Sequence, residues 1–166
     1  MAVAVWSALT VPGWIVWAGC VLGWALLTLA VTDFKFYMLP DFLTLPLIPA
    51  GLFVAWMADP AALPGALIGT VCGFVFVIVL RWIYFAVRGR EGMGFGDAKL
   101  LAAAGAWVSW IGLPSVVLIA AIAGLMLALL RAARTGTLEP MDRVPFGAFL
   151  CLGTWIVWLY GPLQVG

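Results

Sequence analysis

Two aspartates, Asp33 and Asp97, are the residues of this chain best placed to do chemistry. The chain has seven carboxylates and no histidine, which excludes the commonest general base and any nucleophile that histidine would activate. Asp33 follows the apolar stretch LLTLAVT with hardly any polar break. A carboxylate in such a segment is costly, and it usually faces a bundle interior or a water-filled cavity. Snorkelling to the membrane interface beside Lys35 is the alternative that the sequence leaves open.

Asp97 stands after alternating glycines, in the segment GMGFGDAKL at positions 92–100. Glycines free the backbone to adopt positive φ and let another chain approach closely. The aspartate is then expected to open a helix, where the helix N-terminus sets its local field. A glycine-rich phosphate loop is excluded because no G-K-[ST] sequence accompanies the glycines. Plain helix capping by Asp97 remains an alternative.

Two carboxylates that meet can hydrolyse an amide bond together. One stays ionised and activates a water molecule, while the other stays protonated and polarises the carbonyl. Like charges a few ångströms apart resist joint ionisation, so proximity itself separates the two roles. The sequence permits such a meeting of Asp33 and Asp97 without requiring it.

The remaining carboxylates have simpler interpretations. Asp41 follows a Leu-Pro pair and is predicted to cap a helix. Solvated or ion-paired positions in loops are predicted for Asp59, Glu91, Glu139 and Asp142. For Lys35 and Lys99 we favour anchoring of helix ends at lipid headgroups. The alternative is that each lysine lowers the pKa of a neighbouring carboxylate.

The elements that must position these residues are membrane helices. Of 166 residues, 66% are hydrophobic and only 9% charged, and the mean hydropathy is +1.20. We predict one all-α membrane domain over residues 1–166, a bundle of six transmembrane helices in a lipid bilayer. The predicted spans are 12–31, 42–57, 63–87, 98–111, 113–133 and 145–162. Pro46 and Pro49 are expected to kink or break the second span, and the short second and fourth spans are expected inside the bundle or along a cavity.

The basic residues predict the orientation. All eight lie in or beside three loops on one face, after the first span, between the third and fourth, and between the fifth and sixth. The positive-inside rule then predicts an N-out and C-out protein with those loops in the cytoplasm. An interfacial belt at the outer face is predicted for Trp14, Trp17, Trp56, Trp107, Trp110, Trp155 and Trp158.

No cofactor, metal or nucleic-acid partner is expected. Cys20, Cys72 and Cys151 lie far apart in apolar stretches and form no C-x-x-C pair. We interpret them as buried or lipid-facing thiols. The net charge of +1 is too small to indicate a nucleic-acid partner.

Three segments resemble one known family, the type IV prepilin leader peptidases. DFKFYMLPDFLTLPLI at positions 33–48 resembles their first aspartate motif, GFGDAKLL at 94–101 resembles their G-x-G-D motif, and PFGAFL at 145–150 resembles a third segment near the carboxyl end. Many members have proline where this chain has Ala148. The resemblance implies that Asp33 and Asp97 are the catalytic pair, with motif support from Gly94, Gly96, Lys35, Lys99 and Asp41.

The same resemblance implies the substrate and the location. The substrates would be prepilins or pseudopilins of a pilus or type II secretion system, cut after a short basic leader at the cytoplasmic face of a bacterial inner membrane. Longer members carry an additional cytoplasmic segment with paired cysteines and also methylate the new amino terminus. We therefore expect peptidase activity without zinc and without N-methyltransferase activity.

Other functions fit the residues less well. A Ser-Lys peptidase needs a serine near a lysine on the outer face, and both lysines are predicted inside. A small transporter or channel using Asp33 and Asp97 as a proton or cation site is the main alternative. Signal-peptide-peptidase and presenilin-like proteases share the G-x-G-D logic but are larger and differ around the first aspartate.

Overall fold

A computed structural model describes residues 13, 15–89, 94–135 and 145–163 of the chain. Several residues interpreted above lie outside this range. They are Trp14, Arg90, Glu91, Gly92, Glu139, Asp142 and Arg143.

The described residues form helices and contain no strand. The helices are α1 (Ile15–Phe36), α2 (Asp41–Ala58), α3 (Leu63–Arg88), α4 (Phe95–Thr135) and α5 (Phe146–Tyr160), with a single 3₁₀ turn at Pro60–Ala62 before α3. The first four are long and apolar enough to cross a membrane, and α5 is a shorter apolar helix. The prediction of an all-α membrane protein is confirmed at this level.

The long helix α4 changes direction at Ser109. This residue has φ 62° and ψ 173°, far from helical values. A methyl group placed on Gly65 would lie 2.7 Å from the Ser109 hydroxyl oxygen, whereas Gly73 of α3 lies against Leu101. Before the break, residues 95–108 meet α5 in the same order along both helices, since Asp97 lies near Gly147 and Trp107 packs on Trp158. Beyond the break the order reverses, because Val116 lies against Gly153 and Gly124 lies near Phe149. Residues 95–108 and 110–135 therefore run in opposite directions, with the break three residues before the boundary predicted at position 112.

Of the two outcomes predicted for Pro46 and Pro49, a break does not occur, because α2 continues through both residues. The indole N–H of Trp107 donates to the carbonyl oxygen of Leu47, between the two prolines, at 2.8 Å. This hydrogen bond joins α2 to α4. The predicted position of α2 along a cavity is found, because Val54 and Ala55 line one. Phe42 and Phe53 of the same helix are exposed.

Residues 95–108 fill the middle of the bundle, as predicted for the fourth span. Every residue from Leu100 to Trp107 is buried. Residues 102–106 of this stretch are all alanine or glycine. Gly105 packs directly on the backbone of Gly69 in α3, a close approach typical of small residues between membrane helices.

The predicted tryptophan belt is wrong for its central members. Trp107 and Trp155 are each 7% exposed, and Trp107 packs edge-on against Trp158 with ring centroids 5.2 Å apart. These indoles are packing elements inside the bundle. Trp17, Trp56 and Trp110 are exposed, as an interfacial belt requires.

Candidate active site

Asp33 and Asp97 come together at one end of the bundle, which we call the aspartate end. Asp33 lies in the last turn of α1 and Asp97 in the first turn of α4. Both are buried, at 6% and 8% exposed respectively. The break at Ser109 and the residue Asp59 lie at the other end, which we call the far end.

The distances around Gly147 in α5 limit how far apart the two carboxylates can be. A methyl group placed on Gly147 would lie 3.0 Å from Oδ2 of Asp33 and 3.1 Å from Oδ1 of Asp97. The two oxygens are therefore at most about 6 Å apart, a range over which neighbouring charges affect each other. Both carboxylates can approach residue 147 this closely only because glycine has no side chain.

The N-terminus of α5 binds Asp33. The backbone N–H of Ala148 donates to Oδ2 of Asp33 at 2.9 Å. The N-cap residue of α5 is Pro145, which makes no capping hydrogen bond through its side chain. Asp33 of α1 thus occupies the place of an N-cap side chain for α5. Helix N-termini favour negative charge, so this contact stabilises an ionised Asp33.

Asp97 is held differently. Helix α4 begins at Phe95, so Asp97 lies inside the first turn and is not the capping residue. Its backbone N–H donates to the carbonyl oxygen of Gly94 at 3.2 Å. Gly94 also lies beside the carboxylate, where an added methyl group would be 3.7 Å from Oδ2 of Asp97. The glycine-rich segment therefore brings backbone close to the acid, as the sequence indicated.

Leu39 covers the site from the connection between α1 and α2. A methyl group placed on Gly147 would lie 2.9 Å from Cδ1 of Leu39, and one placed on Gly96 would lie 2.9 Å from its Cβ. The Leu39 side chain thus rests on both glycines beside the carboxylates. Sequence reasoning did not find this contact, although Leu39 belongs to the first aspartate motif.

Asp41 and Lys99 form an ion pair at the aspartate end. Nζ of Lys99 lies 2.6 Å from Oδ2 of Asp41 and 5.0 Å from the centre of the Phe95 ring. The predicted capping role of Asp41 is wrong: Asp41 is already within the first turn of α2, whose cap is Pro40, and its carboxylate binds Lys99. Lys99 therefore pairs with Asp41, and Lys35 is exposed in the last turn of α1.

The contribution of α5 is the main part of the site that sequence reasoning missed. The segment PFGAFL was recognised as a motif, but no role was given to Gly147 or Ala148. A glycine at a helix start, following proline, was the available signal for close approach. Among the described residues, no group of three potential ligands could hold a metal ion.

Comparison with known proteins gives a consistent result. The profile of the type IV leader peptidase family matches residues 20–129. A protein of Burkholderia pseudomallei (strain 1026b) named prepilin leader peptidase/N-methyltransferase is 46% identical over 129 residues, covering 78% of this chain and 41% of the relative. Proteins of the same name are 40% identical in Aeromonas salmonicida (strain A449), over 97% of this chain and 55% of the relative, and 38% identical in Pseudomonas aeruginosa, over 89% and 51%. The chain thus spans about half the length of the curated relatives it matches. No solved structure matches it.

Proposed function

We propose that this chain, which belongs to the type IV leader peptidase family, is an intramembrane aspartic endopeptidase that removes the short basic leader of prepilins or pseudopilins. The observation that carries the proposal is the convergence of Asp33 and Asp97 on Gly147. Two buried carboxylates at this distance suit hydrolysis of an amide bond.

The surroundings of each carboxylate suggest how the work is divided. Asp33 accepts a hydrogen bond from the N-terminus of α5, which suits it to be the ionised partner. In the proposed reaction, Asp33 takes a proton from water as the water oxygen bonds to the scissile carbonyl carbon. Asp97, protonated, donates its proton to the carbonyl oxygen. The carbon–nitrogen bond then breaks as Asp33 passes the proton taken from water to the leaving nitrogen, and Asp97 recovers a proton from a hydroxyl of the tetrahedral intermediate as the carboxylic acid forms.

The proposal includes six spans, N-out and C-out, in a bacterial inner membrane. The reversal at Ser109 supports counting residues 95–108 and 110–135 separately. The described basic residues Lys35 and Lys99 lie at the aspartate end, whereas Asp59 lies at the far end. The positive-inside rule then favours a cytoplasmic active site. An engineered cysteine at Lys35 that reacts with an impermeant reagent in intact cells would contradict this orientation.

The names of the relatives also include N-methyltransferase activity. We propose that this chain performs the peptidase step alone. Mass spectrometry of a cleaved prepilin tests this directly, because methylation adds a methyl group to the new amino terminus. The expected product has an unmodified amine.

The decisive experiment compares wild type with Asp33→Asn and Asp97→Asn in membranes that contain a model prepilin. Each asparagine keeps the shape of the side chain but removes a proton-transferring group, so leader removal is expected to fall by at least about a thousandfold. Asp59→Asn, at an exposed carboxylate of the far end, is the matched control and should cleave as wild type does.

The proposal fails if either catalytic variant, inserted at the wild-type level, retains wild-type cleavage. The alternative of a transporter or channel predicts no leader removal by any of these proteins.

A further inference from the structure

Leu39 lies beside the two carboxylates. Its side chain contacts Gly96 and Gly147, the two glycines that flank them. A peptide bond that approached Gly147 from this side would have to displace Leu39. The described conformation is therefore covered by Leu39 on this side of the catalytic pair.

Residues 37–40, which we call the strap, join α1 to α2 and carry Leu39. At one end, Tyr37 has φ 51°, a left-handed conformation that is uncommon for tyrosine. At the other end, Pro40 caps α2 without a side-chain hydrogen bond. The strap thus lies between a residue in an uncommon backbone conformation and a helix start that has no side-chain capping hydrogen bond.

The ion pair of Asp41 and Lys99 ties the strap to α4. Asp41 immediately follows the strap, and Lys99 lies one turn beyond Phe95 at the start of α4. The two partners differ in exposure: the Asp41 side chain is 57% exposed and that of Lys99 is 19%. The ammonium group of Lys99 also lies over the Phe95 ring. That ring packs edge-on against Phe74.

This difference means that the Asp41 side chain is open to a second partner while its Oδ2 is still bound to Lys99. Exposed ion pairs are weak, so a second cation of comparable chemistry can compete for the carboxylate. Exchange of the cation would free α2 from α4 at the point where the strap ends. Leu39 could then leave Gly147.

We propose that Asp41 is a binding site for a cationic side chain of the substrate, and that this cation displaces Lys99 and releases the strap from the catalytic pair. The proposal rests on the proposed function and names the part of the substrate that this site recognises, a lysine or arginine of the leader. Asp41 is a specificity-determining residue in this scheme, and Lys99 is its internal competitor.

The test uses a model prepilin with lysines in its leader and the same protein with each leader lysine replaced by glutamine. Wild type is expected to cleave the lysine leader with a kcat/KM about fivefold higher. Asp41→Asn should reduce this preference to near unity, since it removes the binding site and weakens the ion pair. Lys99→Gln should raise kcat/KM for both leaders and keep the preference, since it removes only the competitor.

An ion pair with a purely structural role predicts a different pattern. Both variants would then slow cleavage of both leaders in parallel, and that result would overturn the proposal. So would a wild-type enzyme that does not distinguish the leaders, or an Asp41→Asn variant that still does. If the proposed function itself is wrong, wild type removes neither leader, which is a separate outcome.

A second measurement follows the strap itself. Leu39→Cys, made with the native cysteines changed to alanine and with Asp97→Asn to prevent turnover, is labelled with a water-soluble maleimide. The lysine-leader prepilin should accelerate labelling, and the glutamine-leader prepilin should not. Equal labelling rates with both prepilins would show that leader charge does not move the strap.

Discussion

The two ends of the bundle differ in what lies between their helices. At the aspartate end, α1, α4 and α5 meet so closely that one added methyl group on Gly147 would touch both carboxylates and Leu39. At the far end, close contacts such as that of Gly65 with Ser109 lie beside a cavity of about 190 Å³, whose lining includes Trp107 and Trp158. The buried indole N–H of Trp158, also at this cavity, has no hydrogen-bond partner among the described residues.

The two ends therefore differ in how accurately their side chains must be positioned. Chemistry requires reacting groups to be held to within about an ångström, so close packing at the aspartate end fits a catalytic role. The far end only needs to hold helices together, and in a membrane bundle this depends on van der Waals packing and a few hydrogen bonds. Substitutions at the two ends should therefore differ in which property they change.

The largest effect in the bundle apart from the aspartates themselves is expected for Gly147→Ala. The new methyl group would lie about 3 Å from a carboxylate oxygen of Asp33 and of Asp97 and would displace one or both carboxylates. We expect kcat for leader removal to fall about a hundredfold, because misplacement of reacting groups by about an ångström has effects of this size. The measurement is single-turnover cleavage of a model prepilin.

Gly124→Ala is the matched control for Gly147→Ala. A methyl group at Gly124 would make an ordinary contact with the Phe149 ring at 3.6 Å. It should leave both insertion and cleavage unchanged. Wild-type cleavage by Gly147→Ala would mean that catalysis does not depend on the close approach of both carboxylates to residue 147.

A smaller effect is expected for Ala148→Pro. Proline removes the N–H that donates to Asp33, yet it is tolerated in the first turn of a helix. Loss of one charge-assisted hydrogen bond should lower kcat about three- to tenfold. Ala148→Gly keeps the N–H and should cleave at close to the wild-type rate, so equal losses in the two variants would disprove the role of this hydrogen bond.

The smallest effect on activity is expected for Trp107→Phe. Phenylalanine cannot donate to the carbonyl oxygen of Leu47, so the free energy of unfolding should fall by about 1 kcal/mol. Leader removal should continue as in wild type, because the change lies toward the far end. Thermal unfolding in detergent measures the stability, with Trp110→Phe at an exposed position as control. A loss of activity without a loss of stability would contradict the division between the ends.

The sequence predicted the fold wherever apolar length decides it. The start of the second span at 42 and of the third at 63 agree with α2 and α3 to within one residue, because the spacing of turns and charges marks these ends. The continuity of α2 through Pro46 and Pro49 could not be predicted from α2 alone. The side-chain hydrogen bond to this part of α2 comes from Trp107, a residue of another helix.

Some residues of the candidate site could be predicted from the sequence, and their partners could not. Asp33 and Asp97 were recognisable because carboxylates at the ends of apolar segments need a reason to be there. The partners of Asp41 and Asp33 were not recognisable, because Lys99 and Ala148 are distant in sequence and an ion pair or a backbone N–H leaves no local pattern. Ala148 supplies Asp33 with a backbone donor that a proline at this position would lack.

The hydrogen bond from Ala148 to Asp33 has a consequence for biosynthesis. Asp33 belongs to a helix that is synthesised before α4, and its hydrogen-bond partner belongs to the last described helix. While translation is in progress, α1 and α4 can already be in the bilayer with both acids present but without the Ala148 donor. We therefore expect a nascent protein to be inactive until α5 has been inserted.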